Sequence, residues 1–249
     1  MPVRLNTAIR RLKDKFPGIH FCVRFSLPAT LSRFDAIRAT GDGAFETFLR
    51  AFSAVNAIGA NNVSVELRIP VSHYNEKQAL TIIDQAFLMY PDLVSVFPAY
   101  GSEELGVAAA EFMPSPEGFG KAVKYYLGKS RGAPGRGFTR SMWPVMRKSA
   151  GLAAVALGKM RQPVPCQAGY SSIFISPDGL VTDCPIASRE LGSLREYQFD
   201  IGRILNSRPA AEVRKKVDSS RCFCPMEYSS FATCMLSAST VARVFSPLR

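Results

Sequence analysis

The chain has 249 residues, 47% of them hydrophobic, enough for a buried core in one large domain or two smaller ones, so it reads as a folded, soluble protein. Its net charge of +11 is concentrated between Lys121 and Arg161, a stretch with basic residues at 121, 124, 129, 131, 136, 140, 147, 148, 159 and 161 and no acidic residue. The N-terminus lacks the basic, apolar and small-residue order of a secretory leader, and the longest apolar stretch, Ala150 to Gly158, is too short to span a bilayer. The expected compartment is the cytoplasm, where clustered cysteines bind metal or do redox chemistry more often than they form structural disulfides.

Up to about residue 112 helical and strand patterns alternate. Ala8 to Phe16 reads as a helix, and His20 to Ser26 as a strand ended by Pro28. Phe45 to Ala57 carries apolar residues at helical spacing, and Asn62 to Pro70 alternates as a strand does. Glu76 to Tyr90 gives a further helix and Leu93 to Phe97 a further strand. This order implies parallel strands joined by crossover helices, and three strands are too few to close a barrel.

Pro114 and Pro116 open a different region, broken again at Gly132, Pro134, Gly135 and Gly137. Its basic residues suit phosphates, an anionic lipid surface or an acidic peptide, and equally a solvated linker. No nucleic-acid-binding module is visible. Met142 to Leu157 has the pattern of a basic amphipathic helix, which leaves contact with a membrane surface as a weaker alternative. Beyond residue 163 the sequence turns to short hairpins and turns, with a helix over Ala210 to Val217.

Of the six cysteines, Cys22 stands alone upstream, and Cys166, Cys184, Cys222, Cys224 and Cys234 gather in the last third. Ser172 to Ser176, the turn Pro177-Asp178-Gly179 and Leu180 to Asp183 read as a β-hairpin that folds Cys184 back beside Ser172, with Ala168-Gly169 letting Cys166 approach. Seventeen residues separate Cys166 from Cys184 and one separates Cys222 from Cys224, so neither pair is a zinc knuckle. Thiolates converging from separate loops suit an iron–sulfur cluster better, while zinc and unconnected buried cysteines remain open on spacing alone.

The stretch Cys166-x-x-Gly169…Ile175-x-Pro177-Asp178-Gly179-x-Val181-x-x-Cys184, with Leu191-Gly192-Ser193-Leu194 and Cys222-x-Cys224 after it, resembles the C-terminal auxiliary-cluster domain of radical S-adenosylmethionine enzymes, called SPASM or, in its shorter form, twitch. Upstream, Phe25-Ser26-Leu27, Phe34 to Arg38, Gly43 to Glu46 and Val71-x-x-x-Asn75 follow an order similar to that family's partial barrel. The resemblance implies an α/β fold in three parts. Residues 1–112 form an incomplete parallel β/α barrel, 113–162 a basic helical and flexible connecting segment, and 163–249 a small cysteine-rich α+β domain holding one auxiliary [4Fe-4S] cluster. Cys166, Cys184, Cys222 and Cys224 are the implied metal ligands, with Cys234 able to replace one of the Cys-x-Cys pair. Ser26 and Arg38 match positions that contact S-adenosylmethionine in such enzymes.

The sequence also departs from that family. It has no Cys-x-x-x-Cys-x-x-Cys loop for a catalytic cluster and no Gly-Gly-Glu segment, and it resembles the family only from the helix before the fourth barrel strand onward. Pro185 stands where sulfatase-maturing relatives carry an aspartate base, and Tyr228 where another cysteine is common. The expectation is an iron–sulfur protein acting on a peptide, protein or small molecule by radical chemistry, inactive alone and using S-adenosylmethionine only where the missing part is supplied. The alternative is a non-catalytic, metal-stabilised module that docks an anionic partner through 121–161. His20 and His73 read as ordinary strand-edge or turn residues, Cys22 as buried packing, and Gly41-Asp42-Gly43 lacks the lysine of a phosphate loop.

Overall fold

The computed structural model describes residues 2–38, 43–100, 109–133, 137–160, 164–219, 232 and 234–236. The first half runs α1 (Pro2–Lys15), β1 (Phe21–Ser26), α2 (Phe34–Arg38), α3 (Ala44–Asn56), β2 (Val63–Val71), α4 (Ala79–Leu88) and β3 (Leu93–Pro98). The three strands form one parallel sheet in the order β1-β2-β3, with Cys22 opposite Ser64, Arg24 opposite Glu66 and Arg68 opposite Ser95. This is the α/β arrangement that the sequence pattern implies. Helix α1 starts earlier than the periodicity suggests, and α4 starts later because Glu76–Gln78 forms a separate 3-10 turn.

The two faces of the sheet differ in chemistry. Residues two apart on a strand share a face, so Val65, Leu67, Ile69 and Val71 lie together with Val94 and Val96. They pack against Phe48, Phe52 and Val55 of α3 and Ile82, Ile83 and Ala86 of α4. The opposite face carries Cys22, Arg24 and Ser26, then Ser64, Glu66 and Arg68, then Ser95. A parallel sheet usually has two apolar faces, so this polar one is a departure that needs a cause.

After α5 (Ala109–Phe112) come α6 (Pro116–Lys129) and α7 (Phe138–Lys159). Ser115 caps α6 by accepting the Gly118 N–H at 3.0 Å, while Glu76 accepts the Ser115 N–H at 2.6 Å and ties the cap to the turn before α4. The basic segment, read from sequence as a connector between domains, is part of the core. Phe119, Val123 and Tyr126 of α6 and Met142, Trp143, Met146, Ala153 and Leu157 of α7 are buried in the same cluster as the sheet. Tyr126 donates its hydroxyl to the Val94 carbonyl at 2.9 Å. The apolar side of α7 is thus occupied by protein, which removes the membrane-surface role that its amphipathic pattern allowed. Among the described residues no helix is long and apolar enough to cross a membrane.

A second, smaller core follows. Strands β4 (Phe174–Ile175), β5 (Leu180–Thr182) and β6 (Glu190–Ser193) form an antiparallel sheet, and α8 (Ile201–Leu205) and α9 (Arg208–Ser219) accompany it. Val181, Leu191, Ile204, Val213 and Val217 are its interior. Gly179 supplies the positive φ, +93°, that the turn between β4 and β5 needs.

Candidate metal centre and polar sheet face

The β4–β5 hairpin has the register expected from its turn: Phe174 faces Thr182 and Ile175 faces Val181. Upstream of it, Gly169 adopts φ +72° and donates its N–H to the Ser172 carbonyl at 2.8 Å, folding the segment after Cys166 onto the start of the hairpin. Cys166 and Cys184 both pack against the second core as half-buried thiols. Each sulfur accepts a backbone hydrogen bond, from the Ala168 N–H at 3.5 Å for Cys166 and from the Ala187 N–H at 3.1 Å for Cys184. Backbone amides directed at a sulfur are the hydrogen bonds by which proteins orient and tune a ligating cysteine.

The Cys184 loop is organised by Asp183. Asp183 is buried, and its Oδ1 accepts the N–H groups of Cys184 at 2.8 Å and Arg189 at 3.0 Å. Its Oδ2 accepts Arg189 Nη1 at 2.8 Å. One carboxylate therefore closes residues 184–189 into a loop and leaves the Ala187 N–H directed at the sulfur. Helix α9 is tied to the Cys166 side: Arg214 donates to the Gly169 carbonyl at 3.2 Å, and Tyr170 donates to Asp218 at 2.6 Å.

The other expected ligands stand apart or lie outside the described residues. Cys222 and Cys224 are outside them. Cys234 is fully buried in the first core, and loss of hydration pushes its thiol pKa up. It does not share the environment of Cys166 and Cys184. Among the described residues no three histidine, cysteine or acidic side chains gather to hold a metal ion.

On the polar sheet face, Glu66 is the central residue, and its side chain is wholly shielded from solvent. It accepts Arg24 Nε at 2.8 Å, Ser95 Oγ at 2.5 Å and the Cys22 thiol at 3.7 Å. Cys22 is thus a half-exposed member of a polar network rather than core packing, and burial, followed by the Glu66 charge, pushes its pKa up. Arg68 lies over the Phe97 ring, 4.5 Å from the centroid, and desolvation lowers its pKa. Ser26 ends β1 half-buried, opposite Arg68. Arg38 ends α2, whose Asp35 accepts the Phe45 N–H at 2.6 Å and so fixes α2 to the start of α3. Asn75 braces the strand ends by donating to the Pro28 and Pro70 carbonyls, both at 2.7 Å. Sequence reasoning missed Glu66, although a glutamate between Ser64 and Arg68 in a parallel strand was the available signal.

The chain matches no protein-family model, no curated protein and no solved structure. Any functional reading therefore rests on the two cysteines, the loop that holds them and the polar face of the sheet.

The basic segment contributes less free charge than its composition suggests. Lys121 pairs with Glu117 and Lys129 with Asp84, each at 2.6 Å, and Arg147 donates to the Ser130 carbonyl at 2.9 Å.

Proposed function

We propose that this chain is an iron–sulfur protein of the radical S-adenosylmethionine, SPASM or twitch type, in which an incomplete β/α barrel accompanies one auxiliary cluster. The observation that carries the reading is the pair of backbone N–H bonds to the sulfurs of Cys166 and Cys184, two half-buried thiols on one small core. Hydrogen bonds to the ligating sulfurs and partial burial are the levers by which proteins hold and tune such clusters.

The donor set fits the group as far as the described residues go. Cys166 and Cys184 supply two thiolates, and Cys222 lies three residues beyond Ser219, the end of α9. Asp218 in the last turn of α9 is bonded to Tyr170, four residues from Cys166. Three residues of chain span at most about 11 Å, which bounds the distance of Cys222 from the end of α9. The proposed ligands are Cys166, Cys184, Cys222 and Cys224. When bound, such a cluster supplies a one-electron redox centre or an iron site for substrate. This chain's own part is to hold the sulfurs, shield them in part, and present the polar sheet face with Ser26 at its end. S-adenosylmethionine chemistry needs a further cluster-binding segment, supplied by a longer chain or a partner.

Anaerobic reconstitution with iron and sulfide tests this directly. The expected product is brown and holds about four irons per chain, as four cysteine ligands imply. A colourless protein with stoichiometric zinc overturns the reading.

A further inference from the structure

We propose that Ser64 and His20 form a nucleophile–base pair that cleaves esters of small acyl groups, in a cavity independent of the cysteine site. His20 sits just before β1, and its Nε2 is 2.8 Å from Ser64 Oγ on β2. Both line a partly open cavity of about 100 Å³, together with Asn56, Asn61, Asp92 and Thr139. A cavity of ~150 Å³ accommodates benzene, so this one takes an acetyl-sized group and little more.

The roles follow from the surroundings of each group. The His20 ring packs on Phe138 at the start of α7, with centroids 4.4 Å apart, which fixes its orientation. Burial lowers its pKa, and the charge of Asp92 partly opposes that shift. The neutral imidazole that a general base requires is therefore the prevailing form at neutral pH. With its proton on Nδ1, Nε2 accepts the Ser64 hydroxyl. Asp92 is held in place by accepting the Val65 N–H at 2.9 Å. Its charge acts on the imidazole through space, while the Ser64 hydroxyl and His20 supply the nucleophile and the base.

In the reaction, Ser64 Oγ bonds to the acyl carbon while its proton passes to His20 Nε2. The ester C–O bond then breaks, and His20 returns the proton to the departing alkoxide. Water attacks the acyl-serine by the same route in reverse, releasing the acid and free Ser64. No oxidant, metal or cofactor enters the balance. Asn56, Asn61 and Thr139 are the side chains able to donate to the developing oxyanion.

The test is pre-steady-state reaction of the full chain with p-nitrophenyl acetate. The expected result is a burst of about one p-nitrophenolate per chain, with the acetyl group mapped to Ser64 by peptide mass spectrometry. Ser64→Ala and His20→Ala should abolish the burst, and Ser53→Ala, on the exposed side of α3, should leave it unchanged. Asp92→Asn, which keeps an acceptor for Val65, should move the pH midpoint of the burst downward. Should Ser64→Ala fail to fold by circular dichroism, the mapping on the unaltered chain decides. Absence of a burst, or acetyl found only on lysines, overturns the proposal.

Discussion

Arg24 and Glu66 form an asymmetric ion pair: the arginine side chain is 49% exposed, while the glutamate that accepts its Nε–H at 2.8 Å is wholly buried. The arginine reaches water and the carboxylate does not, so the two partners are not equally expendable. Removing one partner of a buried pair costs about 3–5 kcal/mol, and exposure of the other reduces that figure.

Arg24→Ala is therefore expected to destabilise the fold by about 2 kcal/mol at neutral pH. Glu66→Gln, which keeps hydrogen-bonding capacity toward Arg24 and Ser95, should cost less. Urea unfolding of the two variants at neutral pH checks both statements. A loss in Glu66→Gln as large as that in Arg24→Ala contradicts the assignment of Glu66 as the stranded group.

Asp183 makes a separable prediction. It satisfies two backbone N–H groups and one guanidinium from a buried position, so Asp183→Ala strands those donors and opens the loop of residues 184–189. The expected cost is about 2–4 kcal/mol. Iron retained after reconstitution should fall at least several-fold although every cysteine is intact. Iron content and melting temperature, measured on the same preparation, read the two effects. Retention of full iron in Asp183→Ala indicates that the loop does not hold the cluster.

The outline of the first half was legible because its signals are local. Apolar residues at helical spacing in α3, alternation in β2 and the Pro177-Asp178-Gly179 turn each act through a few neighbours. In the basic segment the core stripe of Met142, Met146, Ala153 and Leu157 was obscured by the charges around it, and only tertiary packing shows which side of α7 is covered. Glu66 and Asp183 were obscure for the same physical reason. An acidic residue in a sequence reads as solvated, and its burial is decided by partners distant along the chain, such as Arg24 on β1 and Ser95 on β3 for Glu66. The β4–β5 hairpin was legible because its register is local, whereas the sulfur-directed amides arise from loop closure.

The position of α7 yields a test by fluorescence. Trp143 is the single tryptophan of the chain, buried in the first core and stacked on Phe87 with centroids 6.1 Å apart. Its emission should be blue-shifted and insensitive to added vesicles of phosphatidylglycerol, because the apolar side of α7 is already covered. A vesicle-dependent change in Trp143 emission means that α7 leaves the core to reach lipid.

His20 gives the last prediction, one of stability against pH. Burial holds its folded pKa below the ordinary value of 6.5, so the unfolded chain takes up a proton first as pH falls. The contribution is therefore intact above pH 6.5 and is lost as pH drops from there through the lowered folded value. The charge facing His20 in its cavity is Asp92, which partly opposes this shift, and Ser64 and Phe138 add no titrating group. His20→Asn should flatten the stability profile below about pH 6.5, measured by urea midpoints as the pH is lowered. It should also abolish the p-nitrophenyl acetate burst. A flattened profile with an intact burst separates a histidine that only packs at the base of the sheet from one that takes the Ser64 proton.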